Sequence, residues 1–233
     1  TTEGDERGMN VALLYEPERF KLLLSESIAA CDSLGRPLRT RRILHVVGRL
    51  VSGEKLHVFV CHFSSRIGGR QATSYRTIDG EALRKAVAEV MRQDGEAKII
   101  VVGDFNEGPT SEVLSRSIGY RFFQSGDQAE SGTLYNLSTN KTAASGRVRG
   151  TYKYDGHWEM IDQCLVNGNL LTAQRGLCIS ADGVEIHAPT FLLETDPQDL
   201  GLRPRRTYEG YRYHGGVSDH LPTRTSLRFE NKN

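Results

Sequence analysis

The chain opens on a polar lead, TTEGDER (1–7), and then runs into MNVALLY (9–15), a short and largely apolar strand pattern that needs a neighbour to pair with. Alternation at period two, or a short apolar run bounded by turn residues, marks extended chain with a buried face. Six further segments have that character: ILHVVGRLV (43–51), KLHVFVCHF (55–63), KIIVVGDF (98–105), GTYKYD (151–156), WEMIDQCLV (158–166) and LPTRTSLRF (221–229). All are predicted as strands, and the turn SGEK (52–55) joins the second and third as a hairpin. Between the third and fourth, Leu83, Ala86, Val87, Val90 and Met91 recur at three- and four-residue spacing. That stripe predicts a helix covering a sheet. A second, shorter helix is predicted to begin at PTSE (109–112), where a hydroxyl cap precedes Val113 and Leu114. Many strands with few helices point to an α+β layered sandwich rather than a repeating βαβ fold. The segments 124–150 and 182–216 are rich in Gly, Ser, Thr, Asn and Arg without a sustained period, so they read as long loops of functional or mobile character.

Bulk properties narrow the classes. At 233 residues the chain fits one domain, with no internal repeat, low-complexity tract or linker. A charged fraction of 25% and a formal net charge of +1 give neither a polybasic nor an acidic tail, so composition directs the protein to neither nucleic acid nor membrane. No apolar run is long enough for a membrane span, and the lead has no apolar signal region. The compartment is left open. Cys31, Cys61, Cys164 and Cys178 are scattered without a CxxC pair, which argues against zinc and for buried free thiols.

The chemistry gathers at strand ends. VVGDFNEGP (101–109) ends a strand on Asp104 and Asn106, two residues apart and therefore on one side of an extended chain. Gly, Asp and Asn also serve simply as turn residues. His62 follows another strand, where it could be a plain polar cap. Asp162 lies within an apolar strand, where a carboxylate needs a partner. Ser218, Asp219 and His220 follow the Gly215-Gly216 turn. Together, carboxylates and an amide suit a hard cation such as Mg²⁺ or Mn²⁺, while imidazoles can stabilise a phosphate or position water. Ser64, Ser65 and Arg66, directly after His62, add donors for a phosphate. Arg203, Arg205, Arg206, Tyr208, Tyr211, Arg212 and Tyr213 form a basic and aromatic cluster that could line a substrate groove or be a solvated loop.

Four segments in order, VCHFSSR (60–66), VVGDFN (101–106), WEMIDQCLV and GVSDHLP (216–222), resemble the motifs of the endonuclease/exonuclease/phosphatase superfamily in its deoxyribonuclease-like form. The resemblance runs from MNVALLY to the last strand. It implies a four-layer α/β/β/α sandwich of two mostly antiparallel sheets. It also implies a divalent-metal-dependent phosphoesterase, using Mg²⁺ or Mn²⁺ and an activated water, acting as a nuclease or a phosphatase on a diester or monoester. By that resemblance Asp104 orients or deprotonates the water, Asn106 is a ligand of the phosphate, Asp219 is the metal-side carboxylate, His220 contacts the phosphate, Asp162 orients His220, and His62 is the second phosphate-contacting histidine. No carboxylate partner for His62 can be placed. The family's early strands, with an Asn and a metal-binding Glu, would precede MNVALLY; Glu3 and Glu6 are the early glutamates here, in a polar lead. The chain is therefore expected to be N-terminally incomplete, with an unpaired sheet edge near MNVALLY that could support self-association. The alternative is a non-catalytic binding module, or an inactive fragment, that retains the fold. Substrate class, nucleic acid included, stays open.

Overall fold

The computed structural model describes residues 1–5, 7–123, 126–139, 141–171 and 176–230. The first nine strands are β1 Phe20–Ile28, β2 Ile43–Leu50, β3 Lys55–His62, β4 Ile99–Asp104, β5 Arg121–Phe122, β6 Leu134–Asn136, β7 Tyr152–Tyr154, β8 His157–Glu159 and β9 Asp162–Asn167. Six more follow: β10 Gly176–Ile186, β11 Leu193–Thr195, β12 Leu202–Pro204, β13 Tyr208–Glu209, β14 Arg212–Tyr213 and β15 Thr223–Glu230. The helices are α1 Gly69–Gln93, α2 Glu112–Ile118 and α3 Gly168–Leu171.

Seven strands form one mostly antiparallel sheet in the order β1-β2-β3-β4-β9-β6-β5. The β2–β3 hairpin expected around SGEK is present. β3 and β4 run parallel, which requires a crossover, and α1 supplies it. Because β3 and β4 are central, their apolar runs bury residues on both faces. On one face Phe59, Ile99, Val101 and Leu165 meet the α1 stripe of Leu83, Val87 and Val90, with Leu114 and Ile118 of α2. On the other, Val46, Val58, Ile100, Cys164 and Val166 meet Leu177, Ile179 and Val184 of β10, which pairs with β15 as a second sheet. The layering is helix, sheet, sheet, a mixed α and β fold.

Several sequence expectations need correction. MNVALLY forms no strand: Val11 is buried, whereas Met9, Leu14 and Tyr15 are exposed, and Val11 is tied to Thr2, whose N–H donates to its carbonyl at 3.0 Å and whose Oγ1 accepts from its N–H at 3.1 Å. A short apolar run without a neighbouring strand is not enough. The edge of the large sheet is instead β1, drawn from FKLLLSESI, with Leu22, Leu23 and Leu24 half exposed. WEMIDQCLV breaks at Met160-Ile161 into β8 and β9. The region 182–216 is laddered rather than open loop, holding the end of β10 and the short pairs β11–β12 and β13–β14. Ser111 precedes α2 but makes no side-chain cap bond. Cys61 and Cys164 are buried free thiols, but Cys31 is exposed and Cys178 half-buried.

Candidate active site

The site is built from register. β3 aligns with β4 so that His62 lies opposite Asp104, and β9 aligns so that Asp104 lies opposite Asp162. One strand end thus carries three polar side chains abreast. The GDFN sequence makes this approach feasible. Gly103 has φ +138°, and a Cβ there would collide with the Cys61 carbonyl oxygen of β3, so a side chain is excluded on both counts. Asn106, at φ 52°, folds back on the strand end. Its backbone N–H donates to Asp104 Oδ1 at 2.7 Å, and its Nδ2 donates to Asp104 Oδ2 at 3.0 Å and to the Phe63 carbonyl at 3.1 Å. In this arrangement Asn106 orients Asp104 and has no free amide donor for a phosphate.

His62 Nε2 lies 3.5 Å from Asp104 Oδ2, so the nearest carboxylate to His62 is Asp104 itself. His220 arrives from the chain after β14, bridging to Tyr152 of β7. Its Nδ1 is 2.6 Å from Asp162 Oδ2, and its ring centroid is 4.8 Å from that of Tyr152. Asp162 therefore holds the imidazole by one nitrogen and leaves Nε2 for another partner. Asp219 is exposed at the rim beside it.

These groups share a cleft of about 870 Å³ that also contains Arg7, Arg41, Ser65, Arg66, Tyr152 and Tyr154. Ser65 and Arg66 reach it; Ser64 does not line it, and its carbonyl is turned to Arg76 at 3.0 Å. Arg66 is held by Glu159 of β8 through two N–H groups, one at 2.9 Å to Oε1. Arg41 was not signalled by the sequence, where it sits in the exposed-looking run RTRR (39–42). It is buried, and donates to the carbonyls of His62 at 2.9 Å and Phe63 at 2.7 Å and to Asp5 at 3.3 Å.

The charges are set against one another. Burial, then repulsion by Asp162, pushes Asp104 up to about 6. Burial, then the charges of Arg41 and His220, lowers His62 to about 4, so it is neutral at pH 7. Burial also opposes charge on His220, but the Asp162 hydrogen bond and charge outweigh it and raise His220 to about 9. The cleft thus pairs a cationic and a neutral histidine around a poised carboxylate.

The donors fit a hard cation. Asp104 and Asp162 are half-buried carboxylates facing one another across a strand pair, and their repulsion is what a divalent ion would relieve; Asp219 adds an accessible carboxylate. Glu3 does not join them: it is exposed and paired with Arg42 at 3.1 Å. Glu6 lies outside the described residues. A second cluster, Glu194, Glu209 and His214, brings its ligand atoms within 4.8 Å of one another. There the buried guanidinium of Arg203 donates to Glu194 at 2.7 Å and also to Glu209, so both carboxylates already share one buried cation. Among the described residues no helix is long and apolar enough to cross a membrane.

Comparison with known proteins places this geometry. A family model described as the endonuclease/exonuclease/phosphatase family matches residues 2–228. Similar solved structures include an endonuclease/exonuclease/phosphatase family protein from Bacteroides thetaiotaomicron, with TM-score 0.58 and 15% identity over 94% of this chain and 69% of that one. A mannosyl-6-phosphatase from Bacteroides thetaiotaomicron aligns with TM-score 0.56 and 16% identity over 92% of this chain and 69% of that one. The human Nocturnin catalytic domain with bound sulfate gives TM-score 0.51 and 18% identity over 91% and 60% respectively. No curated protein sequence matched significantly. At these identities the structural likeness establishes the fold, and the family match covers almost the whole sequence: the chain belongs to the endonuclease/exonuclease/phosphatase family.

Proposed function

We propose that the cleft is the site of a divalent-metal-dependent phosphoesterase that hydrolyses its substrate with an activated water. The observation that carries this reading is the row His62, Asp104 and Asp162 across three neighbouring strands, with His220 bound to the last. Asp104, fixed through both oxygens by Asn106, orients the water and accepts its proton; a carboxylate at about 6 is ionised at neutral pH yet basic enough to take a proton. His220, kept cationic by Asp162, donates from Nε2 to a phosphate oxygen as charge develops there. His62, neutral at that pH, offers one ring hydrogen bond to the phosphate without adding charge. Ser65 and Arg66 grip the non-reacting oxygens, Arg66 exchanging Glu159 for the phosphate. Asp219 would hold a Mg²⁺ or Mn²⁺ ion, which would neutralise phosphate oxygens. The neighbouring mannosyl-6-phosphatase and the sulfate-bound Nocturnin domain support a phosphoester substrate.

The test is hydrolysis of bis(p-nitrophenyl) phosphate and p-nitrophenyl phosphate with Mg²⁺, Mn²⁺ or EDTA, for the unaltered protein and Asp104→Asn. Metal-dependent turnover that falls by roughly 10²–10⁴-fold in the variant is expected. Turnover in EDTA, or activity within a few-fold of the unaltered protein in Asp104→Asn, would refute the mechanism.

A further inference from the structure

The large sheet ends on an uncovered strand. β1 stands last in the strand order, and every residue from Lys21 to Ser27 is exposed. Three of these, Leu22, Leu23 and Leu24, are half-exposed leucines in a row. Edges are commonly kept from pairing by shortness, by proline or by like charge. This one is nine residues long, has no proline and carries one charge of each sign, Lys21 and Glu26.

A bulge decides which of its side chains share a face. The register with β2 passes from Leu22 opposite Gly48 to Leu24 opposite Val47, so the alternation shifts by one residue at Leu23. Before the bulge, Phe20 joins the core between the two sheets. After it, Ile28 packs against the core under α1, and Glu26 Oε1 lies 2.6 Å from Nδ1 of His45, whose ring stacks on Phe59 of that core. Glu26 keeps its other oxygen, and its side chain is half exposed. Leu23 and Leu24, with Val47, His57 and Val90, line a notch of about 330 Å³ beside the end of α1. The helix face of β1 thus presents Lys21, Leu23, Leu24 and Glu26, and the other face Phe20, Leu22, Ser25 and Ser27.

We propose that this edge is an interface between two copies of the chain, joined β1 to β1 in antiparallel register about a two-fold axis between Leu23 and Leu24. In that register Lys21 of one copy lies opposite Glu26 of the other, Leu23 opposite Leu24, and Leu22 opposite Ser25. Every such pair shares a face, which the bulge alone makes possible. Sliding one strand by a residue sets side chains of one face against those of the other, and sliding it by two separates Lys21 from Glu26. Two-fold symmetry repeats the charge pair and gathers Leu23 and Leu24 of both copies on the helix face. The new ladder satisfies the outward N–H and C=O groups of the edge.

Sedimentation velocity on the unaltered protein, Leu24→Lys and Lys21→Glu, from about 1 to 200 µM, tests the interface. Turnover is not read, so the outcome is independent of the chemistry in the cleft. A monomer–dimer equilibrium with a midpoint on the order of 10 µM is expected of so small an interface. Leu24→Lys should be monomeric throughout. Lys21→Glu sets like charges opposite one another twice and should weaken association about 10-fold. Amide exchange at Lys21–Ser27 should slow as concentration rises, with α1 unchanged. A monomer at every concentration overturns the proposal, and growth beyond the dimer overturns the two-fold pairing. A dimer that either variant retains unweakened, or whose β1 amides exchange as fast as in the monomer, also overturns it. If Leu24→Lys does not fold, Lys21→Glu, at an exposed position, and the exchange rates decide by the same criteria.

Discussion

Two regions of this molecule bring acids, histidine and arginine together, and they do opposite things with them. In the β11–β14 region Arg203 donates to both Glu194 and Glu209, and His214 lies 3.0 Å from Glu194. Both carboxylates meet the same guanidinium, and Glu209 is held below its ordinary range by its hydrogen bond to Arg203. In the cleft, Asp104 is pushed up, His62 down and His220 up. There the strand register, rather than mutual neutralisation, decides which groups meet. A network that satisfies itself braces a hairpin; one that leaves a carboxylate and two histidines in opposed states is prepared to act on something else.

The comparison can be broken most severely at Gly103. Gly103→Ala places a Cβ against the Cys61 carbonyl at a φ that alanine does not tolerate, which should separate β3 from β4 and dismantle the row. Loss of cooperative thermal unfolding, or a midpoint lowered by at least about 5 °C, is expected by circular dichroism. A midpoint equal to that of the unaltered protein would show that the strand spacing is not what aligns His62 with Asp104.

Asp162→Asn should change the charge state of the cleft without dismantling it. The His220 pKa is raised from 6.5 to about 9 in the folded protein. A raised value means that the pair stabilises the fold fully below 6.5 and that this contribution disappears as pH rises through about 9. The difference in thermal midpoint between the two proteins should therefore be widest below pH 6.5 and vanish above about 9. In kinetics, the alkaline limb of kcat/KM should move from about 9 toward 6.5 in the variant. An unmoved limb would separate His220 from Asp162 in function.

The smallest effect on chemistry belongs to Arg203→Ala. It leaves Glu194 and Glu209 facing one another, so the thermal midpoint should drop by a few degrees while kcat stays within about two-fold. A large loss of kcat with an unchanged midpoint would mean that the hairpin, with its exposed Tyr208, Tyr211 and Tyr213, works on substrate rather than bracing the fold.

Much of the site was legible because it hangs on strand ends. Asp104 sits where an apolar run stops and Asp162 lies inside one, where a carboxylate asks for a partner; His220, after the Gly215-Gly216 turn, supplies it. Arg41 was not legible. It stands in a run of arginines that looks solvated, and its burial follows from tertiary packing alone. MNVALLY misled because a short apolar run between polar stretches says nothing of a pairing partner, whereas β1 was missed because three consecutive leucines give no period. The ladders of 193–213 escaped because strands of two or three residues carry too few positions to show one.

The central claim, that one cleft holds two histidines in opposite charge states around a poised Asp104, is tested most directly by titrating the imidazoles individually in the metal-free protein by ¹H–¹⁵N correlation NMR. His220 is expected to keep its proton up to about 9 and His62 to stay neutral down to about 4. Both rings titrating together near 6.5, as freely solvated histidines do, would contradict the account.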